Sequence, residues 1–145
     1  MGERFTLLLA GPRDGVRPGP VWDDLDRVHA AHPSMLLVEG GCSGVDTFGR
    51  EWVTDRRARG WDIEGETYRA PWRIPELSKA AGPARYGFMI GMIIGRGGPC
   101  GALVYLRPGS TGSAGTAAFA KHVGMSVWRR PAPTLEEQGG VRGGQ

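Results

Sequence analysis

The chain has 145 residues, of which 40% are hydrophobic and 23% charged, proportions and a length that suit one soluble globular domain. A formal net charge of +3 without a dense basic block admits an anionic ligand and is only weak evidence for nucleic acid. Cys42 and Cys100 form neither a CxxC pair nor a Cys/His cluster, and no apolar run approaches the roughly 18 residues of a membrane helix, so a disulfide framework, a zinc site and a membrane span are not expected.

Phe5 to Ala10 reads as a buried strand and is followed by the turn "GPRDG". The apolar stretch "FTLLLAG" carries no cleavage-site pattern, so a cytoplasmic protein is expected. Val21 to His32 has Trp22, Leu25 and Val28 at helical spacing, with Asp23 and Asp24 expected in the first turn, where the helix dipole favours acids. Asp26, His29 and His32 share that helix; without further ligands they read as a solvated face rather than a metal site. Pro33 stops the helix, and Ser34 to Val38 is a second buried strand.

The joint "EGGCSGVDTF" leads into a second helix over Asp46 to Arg59, with Phe48, Trp52 and Val53 on its apolar side and Gly60 as its stop. Trp61 to Tyr68 reads as a third strand. A long connection, "RAPWRIPELSKAAGP", precedes a third helix from Pro83 to about Ile94. Its run "YGFMIGMIIG" is apolar on most sides, which suits either the core or a face that pairs with a second copy. Ala102 to Leu106 is the fourth strand, "RPGSTGSAGT" a second glycine-rich joint, Ser113 to His122 the fourth helix and Met125 to Trp128 the fifth strand. Residues 131 to 145 lack a core pattern and are expected to be a disordered tail after a single domain over 1 to 130.

Short apolar strands alternating with helices predict an α/β fold: a mostly parallel five-stranded sheet with helices on both faces. Ligands of such folds bind outside the carboxyl ends of the strands. "GPRDG", "EGGCSGVD" and "RPGSTGSAGT" all fall there. Glycine-rich turns before helices leave amides open to an anion, so both longer joints are expected to leave room for a phosphate or ribose. Neither has the spacing of a P-loop or of GxGxxG. Cys42 lies at a helix entrance but has no histidine beside it in sequence and reads as a small packing residue.

Three blocks, "GGCSGVDTFGREW", "APW…SKAAGPARYGFMI" and "PGSTGSAGTAAFAKHVGMSV", resemble the SLOG superfamily, in its YspA/YpsA-related branch, over about residues 5 to 128. The resemblance implies a Rossmann-like three-layer sandwich that binds a nucleotide or nucleotide-derived ligand, needs no cofactor and forms a homo-oligomer, a dimer above all. Its motifs fall on Gly11, Arg13 and Asp14; on Gly40, Gly41, Cys42, Ser43, Gly44 and Asp46; on Lys79, Ala81, Gly82, Pro83 and Arg85; and on Gly109, Ser110, Thr111, Gly112, Ser113, Gly115 and Thr116. Trp72 is a candidate for stacking on a base. Two positions depart from the pattern. Tyr86 stands where the branch has Asn. Phe119 stands where the related lonely-guy phosphoribohydrolases carry the Glu of GTxxE.

The first functional reading is therefore a sensor or sequestering protein for a nucleotide-like ligand. In it Arg85 pairs with phosphate or carboxylate, and Asp46 or Asp14 accepts ribose hydroxyls. The second is a nucleotide N-glycosidic hydrolase using Asp46 and Arg85, with Glu51 a weaker candidate over a turn further along. The third is single-stranded DNA binding, by similarity to DNA-processing protein A, whose second arginine is absent here.

Overall fold

The computed structural model describes residues 3–69 and 81–135. Its elements are β1 (Phe5–Ala10), α1 (Pro18–Ala31), β2 (Ser34–Glu39), α2 (Val45–Ala58), β3 (Asp62–Thr67), α3 (Ala81–Arg96), β4 (Cys100–Leu106), α4 (Gly112–His122) and β5 (Ser126–Pro131). The strands form one sheet in the order β3-β2-β1-β4-β5. Every pairing is parallel; β1 sits at the centre, with Leu7 opposite Leu37 of β2 and Gly101 of β4.

Side chains of successive strand residues point to opposite faces, and both faces here are covered. Phe5, Leu7 and Leu9 join Val21 and Leu25 of α1 and Trp52 and Val53 of α2 in one core. Leu8 and Ala10 join Met89, Ile90 and Ile93 of α3 and Ala117 and Ala120 of α4 in the other. That two-sided burial is why β1, β2 and β4 are apolar runs without alternation, whereas the edge strands β3 and β5 are largely exposed and polar. It also accounts for "YGFMIGMIIG": Met89, Ile90 and Ile93 are core, while Phe88, Met92 and Ile94 are exposed. Strand order reverses between β1 and β4, which opens a crevice at their carboxyl ends.

The structure corrects two expectations. α1 begins at Pro18, with the extended Arg17 as its cap residue and no acid in its first turn. Proline fits there because first-turn amides have no intrahelical partner. Asp23 and Asp24 consequently lie in the second turn. Asp24 is buried, where it accepts hydrogen bonds from Tyr105 Oη at 2.6 Å, Arg27 Nη1 at 2.7 Å and Arg130 Nε at 3.1 Å.

The second correction concerns residues 131 to 135, read as the start of a disordered tail. β5 runs to Pro131, Ala132 is buried in the α1–α2 core, Thr134 bridges to Val16, and the Leu135 amide donates to the Gly15 carbonyl. The segment "PAPTL" is held by backbone hydrogen bonds, which an apolar-periodicity reading does not detect. Residues 136 to 145 lie outside the described residues.

His29 of α1 and His32, which caps its C-terminus, serve packing. His32 stacks on Phe5 at 3.7 Å and His29 on Trp61 at 4.8 Å. Asp26 accepts from Trp52 Nε1 at 2.8 Å and from both Nε and Nη2 of Arg56. Burial opposes its ionisation, but these hydrogen bonds prevail and hold its carboxyl below the usual range. Among the described residues no group of His, Cys, Asp and Glu is arranged to hold a metal ion.

Candidate functional site

The β1 and β2 turns are tied together by main-chain contacts. The Val45 amide, first in α2, donates to the Pro12 carbonyl at 3.1 Å, and Ser43 Oγ donates to the Arg13 carbonyl at 2.9 Å. Gly44, at φ +72°, makes this possible: a Cβ there would press into the Pro12 and Arg13 backbone. The β4 turn joins from the other side, where Arg107 donates to the Asp14 main-chain oxygen and reaches its carboxylate at 3.4 Å. The three turns thus meet at one sheet edge.

The glycine-rich β2 turn does not present its amides outward. The Gly40 and Cys42 amides both donate to Asp46 Oδ2 at 3.1 Å, and the Gly41 amide donates to Glu39 Oε1 at 2.6 Å. Glu39 is buried and also accepts from Arg50 Nη1 at 2.9 Å and from Thr67 Oγ1. The turn supplies its own anions, so the expectation that these amides receive a phosphate does not describe this arrangement. Burial, with repulsion from Glu39 adding to it, pushes the Asp46 carboxyl up to about 6 despite the amides it accepts from.

What the small residues admit instead is arginine. Arg85 of α3 is 4% exposed and lies against Gly40, where a Cβ would come within 2.7 Å of its Cζ. Its Nη1 donates to the Gly40 carbonyl at 3.2 Å and to Cys42 Sγ at 3.2 Å; its guanidinium carbon lies 4.6 Å from the Tyr86 ring centre, and its buried Nε has no partner among the described residues. Arg69 fills the place beside Gly41 and donates to its carbonyl at 3.0 Å.

The β4–α4 joint is built differently. Gly109, at φ +81°, turns the chain, the Ser110 amide donates to the Arg107 carbonyl, and α4 opens at Thr111 with no side-chain cap. Thr116 is buried with its hydroxyl donating to the Gly112 carbonyl, and Ser113 is buried as well. Gly112 and Gly115 are exposed. Beside this first turn, between α3 and α4, lies a cavity of about 360 Å³ lined by Tyr86, Gly87, Thr111, Gly112, Gly115, Thr116 and Phe119.

The sheet edge therefore gathers Gly11, Arg13, Asp14, Gly40 to Gly44, Asp46 and Arg85 on one side and Gly109 to Thr116 on the other. Asp46 faces into its own turn, and Asp14 stands out with its side chain 88% exposed. Glu51 is exposed on α2. Trp72 and Lys79 lie outside the described residues. Glu39, Arg50, Arg69 and Arg107 were not singled out as site residues. Glu39 opens the quoted joint and Arg107 the second, so position beside a glycine-rich turn was the available signal.

Residues 5–74 match the family model described as YAcAr: YspA, cpYpsA-related SLOG family. No curated protein and no solved structure matches the chain.

Proposed function

We propose, for a chain whose residues 5–74 match the YspA, cpYpsA-related SLOG family, that it binds a nucleotide or nucleotide-derived ligand without altering it. The observation that carries the reading is the contrast between the two glycine-rich joints. The β2 turn spends its amides on Glu39 and Asp46, whereas the first turn of α4 has no side-chain cap and borders a cavity. Uncapped amides at the positive end of a helix suit an anion, so the phosphate is assigned to Gly112 and the residues beside it. The β2 turn then has a different role, holding Arg85 and the β1 turn in place.

Retention rather than hydrolysis follows from the carboxylates. Cleaving a glycosidic bond needs a carboxylate near the sugar's anomeric carbon to stabilise positive charge or activate water. Asp46 accepts two main-chain amides through one oxygen and is 5% exposed. Among the described residues no carboxylate lines the cavity between α3 and α4.

The test is to denature purified protein, identify any co-purified small molecule by mass spectrometry, and screen nucleotides by thermal shift. An intact nucleotide that raises the melting temperature and survives incubation supports the proposal. Recovery of free base with ribose phosphate overturns it in favour of hydrolysis. Silence toward nucleotides, with salt-sensitive binding of single-stranded DNA, overturns it in favour of the nucleic-acid reading.

A further inference from the structure

The cavity between α3 and α4 carries an inference about what the ligand must contain. Among the described residues its lining holds no charged side chain. Tyr86 and Phe119 are its large members, and Phe119 is 43% exposed. Among the described residues nothing beyond their own helix backbone lies within 4 Å of where a Cβ would stand at Gly87 or Gly115, so both helices offer bare backbone there. The first turn of α4 borders the same space through Thr111 and Gly112, and a Cβ at Gly112 would lie 3.7 Å from Tyr86 Oη. Tyr86 is itself held against the buried Arg85.

An uncharged cavity with two aromatic side chains and backbone-lined glycines suits a flat group with a π-face. An exposed phenylalanine gains by covering, and base–aromatic stacking rewards a planar ring irrespective of its identity. Tyr86 and Phe119 are also the two positions at which the sequence departs from the pattern it resembles. We propose that this cavity is the subsite for the nucleobase, held by Tyr86 and Phe119, with the phosphate of the same ligand at the first turn of α4. The inference rests on the nucleotide reading above and deepens it: the aromatic base, and not the phosphate alone, determines which ligands are retained.

The experiment is calorimetric titration of the full chain with ribose 5-phosphate and with AMP, GMP, CMP and UMP, repeated on Phe119→Ala, Phe119→Trp and Tyr86→Leu. The wild type is expected to bind at least one of the nucleotides about tenfold or more tighter than ribose 5-phosphate. Phe119→Ala and Tyr86→Leu are expected to shrink that ratio toward one while keeping ribose 5-phosphate affinity, and Phe119→Trp to restore it. Circular dichroism confirms that each variant is folded, and Phe119→Ala is informative because its site is partly exposed. Equal affinity of the wild type for the nucleotides and ribose 5-phosphate overturns the base subsite and leaves the phosphate site standing. No binding of any of the five overturns the nucleotide reading itself. A change from dimer to monomer on size exclusion in Phe119→Ala, with the affinity ratio unchanged, also overturns the subsite, assigning this aromatic surface to contact between copies.

Discussion

The Arg85 guanidinium occupies the space that a side chain at Gly40 would fill. Its Nη1 lies 3.2 Å from the Gly40 carbonyl oxygen, and a Cβ on Gly40 would sit 2.7 Å from its Cζ. The two residues are 45 apart in sequence, so this contact ties α3 to the end of β2. It also holds a buried cation beside the Glu39 and Asp46 carboxylates' turn.

Gly40→Ala should therefore act on the ligand site through Arg85. Overpacking of this kind costs about 1–3 kcal/mol. The expected outcome is a lower melting temperature together with weaker nucleotide binding. Arg85→Lys should weaken binding too, because one ammonium cannot donate to Gly40 and lie flat on Tyr86 together. Calorimetry on both variants checks this; unchanged affinity in Arg85→Lys would remove Arg85 from the site.

Asp46 gives a pH signature. Its carboxyl is raised to about 6 in the fold, so the folded chain binds this proton more tightly than the unfolded chain does. Ionised Asp46 consequently costs stability. The cost is absent below the ordinary carboxylate range and complete above about pH 6. Asp46→Asn keeps an oxygen acceptor for the amides and removes the ionisation. The stability difference between variant and wild type should shift in the variant's favour by on the order of 2 kcal/mol as pH rises from about 4 to 7. Urea unfolding across that range measures it, and a pH-independent difference would contradict the assignment.

Two positive-φ glycines should respond unequally to alanine. Gly60, at φ +93°, has open space around it, so Gly60→Ala meets only the backbone penalty of about 1–2 kcal/mol. Gly44, at φ +72°, faces the Pro12 carbonyl as well, so Gly44→Ala should cost clearly more and loosen the β1 turn. Chemical denaturation ranks them; equal costs would mean the turn–turn contact is slack.

Tyr105→Phe should destabilise the chain by about 1–2 kcal/mol, by removing a buried donor to a charged acceptor. Arg27 and Arg130 still satisfy Asp24, which keeps the loss moderate. Tyr105 lies in the α1–α2 core, away from the α3–α4 cavity, so nucleotide affinity should be unchanged. Unfolding and titration on the same sample check both halves.

The fold was legible because burial on both faces writes strands as short apolar runs, and because glycine and proline mark where those runs end. β1, β2 and α2 fall within a residue or two of their expected bounds. The start of α1 was not legible: Pro18 and Pro20 look like loop residues, although proline is at home in a first turn. At the site, the glycine-rich joints were visible but the direction of their amides was not. Whether such a turn faces a ligand or its own acids depends on where Glu39 and Asp46 point, which spacing does not encode. Arg85 was visible as a motif residue, but its burial depends on a turn far away in sequence. Its immediate neighbours, "PARYG", suit an exposed helix equally well.

The return of residues 132 to 135 to Gly15 and Val16 has a practical consequence for anyone attaching something to this protein. The chain enters the sheet at Phe5 on its amino edge, and the last described residue, Leu135, lies on the carboxyl edge beside the β1 turn. A strand of six residues separates those edges, about 20 Å. A fluorophore or surface tether before Phe5 sits across the sheet from the turns at the strands' carboxyl ends. One placed at Leu135 sits beside the β1 turn, on the same edge as those turns.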